Sequence, residues 1–268
     1  MATPAKADGK SVVAKGKKIK RIHTLDELRG LAVFCMIFYH AFYSISVFFG
    51  WSWGSTLMNF FSPAEPYFAG LFIVISGISS CLSHSNIERG GKLLIIALIV
   101  TAVTFFFSPN SIIVFGILHC LAICMILFGV IKNIIEKIPM VIVLLLNVFL
   151  FAMTYRITKG VFGITGFFEI AVPTDWYASD YMFAFGLPSS SFASADYFPL
   201  IPWMFLFFAG TALGRLAAAG KFPVGMYKLR VPFFSVLGRN ALFLYIIHQP
   251  VIIGICFVVQ SVMNIFGS

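Results

Sequence analysis

The chain has 268 residues, 60% of them hydrophobic and only 11% charged. Soluble domains carry roughly 25% charged residues, so these charges are too few to cover a water-soluble globule of this length. The net charge of +9 does not call for a nucleic acid partner, because the cations follow a topological pattern and do not form one patch.

Residues 1–20 are small, polar and Lys-rich, which predicts a disordered basic tail. They lead into no short apolar region with a small-residue cleavage site, so they do not read as a cleaved signal peptide. Residues 21–268 form one domain with no internal repeat.

Seven long apolar blocks follow in that domain. They run Leu28–Phe49, Tyr67–Ser83, Leu93–Phe107, Ser111–Ile131, Met140–Tyr155, Phe198–Ala218 and Ser235–Val262. Spanning a hydrocarbon core of ~30 Å takes about 20 residues at ~1.5 Å each. The blocks lack the period-two alternation of an outer-membrane barrel. Pro63, Pro66, Pro109, Pro139 and Pro232 fall between blocks, where a missing N–H costs little. The expected fold is all-α: a polytopic membrane helix bundle of about seven transmembrane helices in a lipid bilayer.

A cytoplasmic N-terminus puts 17 of the 19 Lys and Arg residues inside, leaving only Arg156 and Lys159 outside. That asymmetry fits the positive-inside rule and puts the C-terminus outside. Two outer loops stand out. Gly50–Pro66 is aromatic with the single charge Glu65. Arg156–Tyr197 is far longer and carries Glu169, Asp175, Asp180 and Asp196. Long ordered loops tend to be functional. Val161–Val172 and Tyr181–Leu187 are apolar enough to lie in the interface or cap a cavity, and a short eighth span carrying Glu169 stays open.

Ionisable groups at membrane depth are functional candidates by default. His40, His119 and His248 lie in the first, fourth and seventh blocks, all near mid-depth. Neutral imidazole carries one donor and one acceptor, which suits proton transfer. The plainer reading of His119 or His248 is a bond to a neighbouring helix. Arg29, Arg215 and Arg239 sit at the inner ends of three blocks. There they either follow topology or line a vestibule for phosphate groups. Asp26, one helical turn before Arg29, reads as the partner that fixes it or as a cap at the helix start. Asp196 to Trp203 begins the sixth block with an acid, two prolines and aromatics, as an aromatic belt or an irregular helix start beside a wet cavity. Cys120 and Cys124 share a helix face as small packing residues, and no metal site is expected.

The run from Arg21 to Leu31 followed by Met36 and His40, with ten residues between Arg29 and His40, resembles the start of acyltransferase-3 type membrane acyltransferases. Leu71–Ile78, Phe115–His119, Asp196–Trp203, Leu237–Leu242 and Tyr245–Pro250 resemble the heparan-α-glucosaminide N-acetyltransferase catalytic-domain family in its small prokaryotic form. The resemblance implies a multi-pass protein of the prokaryotic plasma membrane. It implies transfer of an acyl group from cytosolic acyl-CoA, with acetyl-CoA as the donor substrate, to a glycan or small-molecule acceptor on the far side. His40 would be catalytic, with His119, His248 or Asn240 supplying a further donor. Arg29, Arg215 and Arg239, with Asn240 beside them, would bind the donor's phosphates. Asp196, Tyr197, Trp203 and Asp175 would meet the acceptor. A homodimer is left open. Lysosomal members carry Asn where His40 stands and place their essential histidine in the following luminal segment; Ala41–Asn59 has none, so the heparan substrate is not carried over. The competing expectation is a proton-coupled small-solute transporter with the histidines as a relay, and a b-type haem protein ligated by two of them is a third.

Overall fold

The computed structural model describes residues 21–266; the predicted tail, 1–20, lies outside the described residues. The helices are α1 (His23–Val47), α2 (Ser52–Phe61), α3 (Glu65–Cys81), α4 (Asn86–Phe107), α5 (Ile117–Ile135), α6 (Met140–Thr154), α7 (Leu200–Ala218), α8 (Pro232–Arg239) and α9 (Ala241–Phe266). Strands β1 (Val161–Ile164) and β2 (Phe168–Ala171) form an antiparallel hairpin between α6 and α7. Among the described residues, seven helical stretches are long and apolar enough to cross a membrane: His23–Val47, Ser52–Cys81, Asn86–Phe107, Ile117–Ile135, Met140–Lys159, Leu200–Ala218 and Ala241–Ile265. Each coincides with a predicted block, and the all-α membrane bundle is the architecture found.

The departures from the predicted blocks have local causes. The expected loop Gly50–Pro66 is largely helical: α2 fills it, Pro63 sits in a short 3-10 turn, and Pro66 lies in the first turn of α3, where its missing N–H has no intrahelical acceptor to lose. The fourth block begins as a helix only at Ile117. The residues before it are extended because they bond the segment that precedes α7: Ala195 N–H donates to Ile112 O (2.9 Å) and Phe198 N–H to Phe115 O (2.9 Å). The seventh block is divided at Asn240, whose side-chain amide donates back to Val236 O (2.9 Å) and ends α8. No eighth span exists in the long loop. Gly163 and Gly166 adopt positive φ and turn the chain into the hairpin, and Arg156 pairs with Glu169 across it at 2.5 Å.

Inside hydrocarbon, helix association gains little from expelling water and depends on close van der Waals approach. Two glycine pairs provide that approach. Gly77 of α3 lies on the Phe207 carbonyl of α7, and Gly210 on the Val74 carbonyl of α3. Gly30 of α1 lies on the Phe234 carbonyl of α8, and Gly238 on the Asp26 carbonyl of α1. A Cβ at any of the four would overlap backbone. Around these contacts Ile73, Phe128, Phe207, Cys120 and Cys124 are fully buried. Ile95, Leu98 and Ile99 of α4 and Leu145, Leu146 and Phe149 of α6 are exposed, as lipid-facing surfaces require.

Candidate active site

Residues 29 and 40 are eleven positions apart on α1, three helical turns, so Arg29 and His40 share a face with ~16 Å of rise between them. That face borders two cavities.

The larger cavity, about 780 Å³, lies at the end of the bundle where α1 begins, and the cations Arg21, Arg29, Arg89, Lys92 and Arg239 line it. Arg29 is held in place from two helices. Its Nη2 donates to Ser79 Oγ of α3 (2.6 Å), and its Nη1 lies 3.6 Å from Asp26 Oδ1. Asp26 is buried and takes Arg21 Nε on its other oxygen at 2.7 Å. The expected Asp26–Arg29 contact therefore exists. Arg239 reaches Ser235 Oγ at 3.3 Å, and the Gly238–Asp26 backbone contact sets α8, which carries it, against α1. Deeper in, the lining turns apolar through Phe72, Leu118, Leu121 and Met125. A cationic mouth above an apolar shaft suits a ligand with phosphates at one end and an uncharged arm at the other.

The smaller cavity, about 220 Å³, carries the polar groups of Tyr39, His40, Glu65, Asp196, Tyr197 and Tyr245. Phe72 and Tyr245 line both cavities and form the wall between them.

His40 and His248 approach with ring centroids 5.0 Å apart. The Nδ1–H of His248 donates to the Tyr245 carbonyl one turn back (2.6 Å). A carbonyl only accepts, so this bond fixes the tautomer and leaves the Nε2 lone pair free in the neutral ring. His248 is buried and stands behind His40, which lines the smaller cavity. The Tyr245 hydroxyl donates to Asp196 Oδ2 (2.6 Å), which also accepts the Ile117 N–H that opens α5 (3.2 Å). Burial pushes the Asp196 carboxyl above the usual carboxylate range, and these two hydrogen bonds pull the other way.

Of the other expected site residues, Tyr197 borders the smaller cavity and the rest line neither cavity. His119 uses both ring nitrogens within the scaffold: Nδ1 accepts the Gly116 N–H (3.2 Å), and Nε2 meets Thr101 Oγ1 of α4 (3.2 Å), whose hydroxyl donates to Ile113 O (2.6 Å). Arg215 donates to the carbonyls of Ile138 (2.7 Å) and Ile135 (2.5 Å) at the end of α5, away from the Arg29 cavity. Asn240 ends α8 and lines neither cavity. Tyr197 lines the smaller cavity but donates its hydroxyl to Phe183 O at 2.6 Å. Trp203 is buried among Phe151, Tyr155 and Phe198. Asp175 lies on an exposed 3-10 turn.

Arg89, Lys92, Glu65 and Tyr245 are among the lining residues that carried no assigned role in the sequence. Arg89 and Lys92 look like ordinary topological charge at a helix start. Glu65 is marked only as the lone charge of its loop, and Tyr245 only as part of a matching run. What singles them out is convergence from separate helices.

The family model described as heparan-alpha-glucosaminide N-acetyltransferase, catalytic, matches residues 21–250. The chain belongs to this family. The match begins at Arg21, on the mouth of the larger cavity, and ends two residues beyond His248, so it contains every residue of both cavities. Membership in the heparan-alpha-glucosaminide N-acetyltransferase catalytic family, together with seven apolar helices, makes the chain a membrane transferase of the acetyltransferase class. No curated protein and no solved structure matches the chain.

Proposed function

We propose that the protein moves an acyl group, acetyl in the simplest case, from cytosolic acyl-CoA to a hydroxyl or amine of a glycan or small acceptor at the opposite membrane face. The observation that carries this reading is the pair of abutting cavities. A basic one holds Arg29 and a polar one holds His40, with Phe72 and Tyr245 common to both. The basic end faces the cytosol on the strength of the 17-to-2 split of cations and the positive-inside rule.

In this reading the nucleotide phosphates sit among Arg29, Arg89, Lys92 and Arg239, where guanidinium and ammonium groups bind phosphate oxygens by charge-assisted bonds. A volume near 780 Å³ lies within the ~300–1,000 Å³ of ligand sites. The donor's apolar arm follows the shaft towards the wall at Tyr245. The acceptor occupies the smaller cavity with Asp196 and Tyr197. His40 takes the acceptor proton as the acceptor atom attacks the thioester carbon, and the thiolate leaves. His248, its tautomer fixed by Tyr245, supports His40 from behind. Thiolate is a good leaving group, so positioning contributes the larger share of the rate. Asp175, Trp203, Arg215, Asn240 and His119 take no part in these steps; the last three hold helix ends together.

The test is transfer by purified protein in proteoliposomes, with radiolabelled acetyl-CoA on one side and a mixture of amino and neutral sugars on the other. Label appearing on sugars across the bilayer supports the reading. Sugar-dependent proton flux that needs no acetyl-CoA contradicts it.

A further inference from the structure

Most polar groups of the smaller cavity are already engaged. Asp196 Oδ2 accepts from Ile117 N–H and Tyr245, and Tyr197 donates to Phe183 O. His40 and Glu65 differ. The side-chain polar atoms of neither make a hydrogen bond or ion pair with a described residue, and neither is sealed from the cavity they line. They come from different helices, α1 and α3. A carboxyl oxygen accepts hydrogen bonds, and a carboxyl held partly out of water is costly until a partner reaches it. The cavity, at about 220 Å³, is smaller than a typical drug-sized ligand site of ~300–1,000 Å³. It admits one ring-sized group at a time.

We infer that Glu65 is the acceptor-positioning residue of this cavity: it accepts a hydrogen bond from a second hydroxyl or amine of a single sugar-sized unit, turns the neighbouring group towards His40, and rejects units that present a carboxylate there. The inference rests on the acyl-transfer reading for what happens next, but not for the binding itself. It names the acceptor class as a neutral or cationic polyol, with acidic sugars excluded by like charge.

The experiment titrates purified protein in detergent with methyl glucoside, methyl glucosaminide and methyl glucuronate, and separately with acetyl-CoA. Wild type is expected to bind the first two at least tenfold more tightly than the glucuronate. Glu65→Gln is expected to lose about tenfold on the first two, the scale of one charge-assisted hydrogen bond, and to gain on the glucuronate while binding acetyl-CoA unchanged. A merely structural role for Glu65 would produce no such gain. Equal binding of all three sugars by wild type, or of none by protein that binds acetyl-CoA, overturns the inference. So does a folded Glu65→Gln protein with unaltered sugar preference. Asp196 lines the same cavity, so where Glu65→Gln does not fold, Glu65→Asp replaces it: the first two sugars are expected to weaken several-fold with the glucuronate still excluded, and unaltered affinity for them overturns the inference. Sugar discrimination that Glu65→Gln abolishes, in protein that binds no acetyl-CoA, upholds Glu65 and defeats the acyl-transfer reading instead.

Discussion

The imidazoles of His40 on α1 and His248 on α9 face each other at 5.0 Å between ring centroids, and His248 is locked by its Nδ1–H bond to the Tyr245 carbonyl. The same tyrosine holds Asp196 through its hydroxyl and forms part of the wall between the cavities. Tyr245 thus links the imidazole pair, the buried carboxyl and the larger cavity.

His248→Asn removes the ring behind His40 while keeping a polar group of similar reach. The turnover number is expected to fall by ~10², within the range for a disturbed acid–base pair, with acetyl-CoA affinity unchanged. Parallel loss of affinity and turnover would mean that His248 acts on folding alone.

His119→Leu leaves the Gly116 N–H without its partner and removes the link to Thr101, whose hydroxyl keeps Ile113 O. Losing such bonds at a buried site costs about 1–3 kcal/mol. The variant should unfold at lower temperature, yet transfer acyl groups at nearly wild-type rate per folded molecule. Loss of turnover at full stability would place His119 in the chemistry.

Arg29 and Arg215 should separate cleanly. Arg29→Gln removes a cation from the larger cavity and should weaken acetyl-CoA binding about tenfold or more. Arg215→Gln removes bonds to the carbonyl of Ile135, the last residue of α5, and to that of Ile138 just beyond it. It should cost about 1 kcal/mol of stability and leave acetyl-CoA binding as it was. Calorimetry with acetyl-CoA and thermal unfolding of each variant read both effects.

Asp196 predicts a pH dependence. Burial raises its carboxyl above the ordinary 3.8, so the folded state holds a proton that the unfolded state has released. Stability from this group is therefore full below pH 3.8 and declines as pH rises from there through the raised folded value. Asp196→Asn keeps acceptor capacity for Tyr245 and Ile117 but cannot ionise. Its melting temperature should fall less than that of wild type over the same rise in pH.

The number and placement of the spans were legible because long uninterrupted apolar blocks have few alternatives in a chain this poor in charge. The pairing of Asp26 with Arg29 was legible from helical spacing. What stayed hidden depends on rotation and register between helices. Nothing local distinguishes Arg215, which caps α5, from Arg29, which lines a cavity, because both lie at helix ends rich in cations. His119 and His40 occupy similar depth, but only the folded chain shows that His119 spends both nitrogens on its own scaffold. The helix α2 was masked by Pro63 and Pro66, which read as loop residues and instead sit in a turn and a helix start. The extended run before Ile117 is as apolar as a helix, and only its pairing with residues 195–198 gives it away.

The central claim is that His40 promotes attack on a thioester held in the neighbouring basic cavity. Its most direct test is acetyl-CoA binding and thioester hydrolysis by purified wild type and His40→Ala in detergent. The account predicts equal binding by both proteins, with slow hydrolysis by wild type reduced to background in the variant. Folded protein that does not bind acetyl-CoA at all, or a His40→Ala variant that hydrolyses it at the wild-type rate, would contradict it.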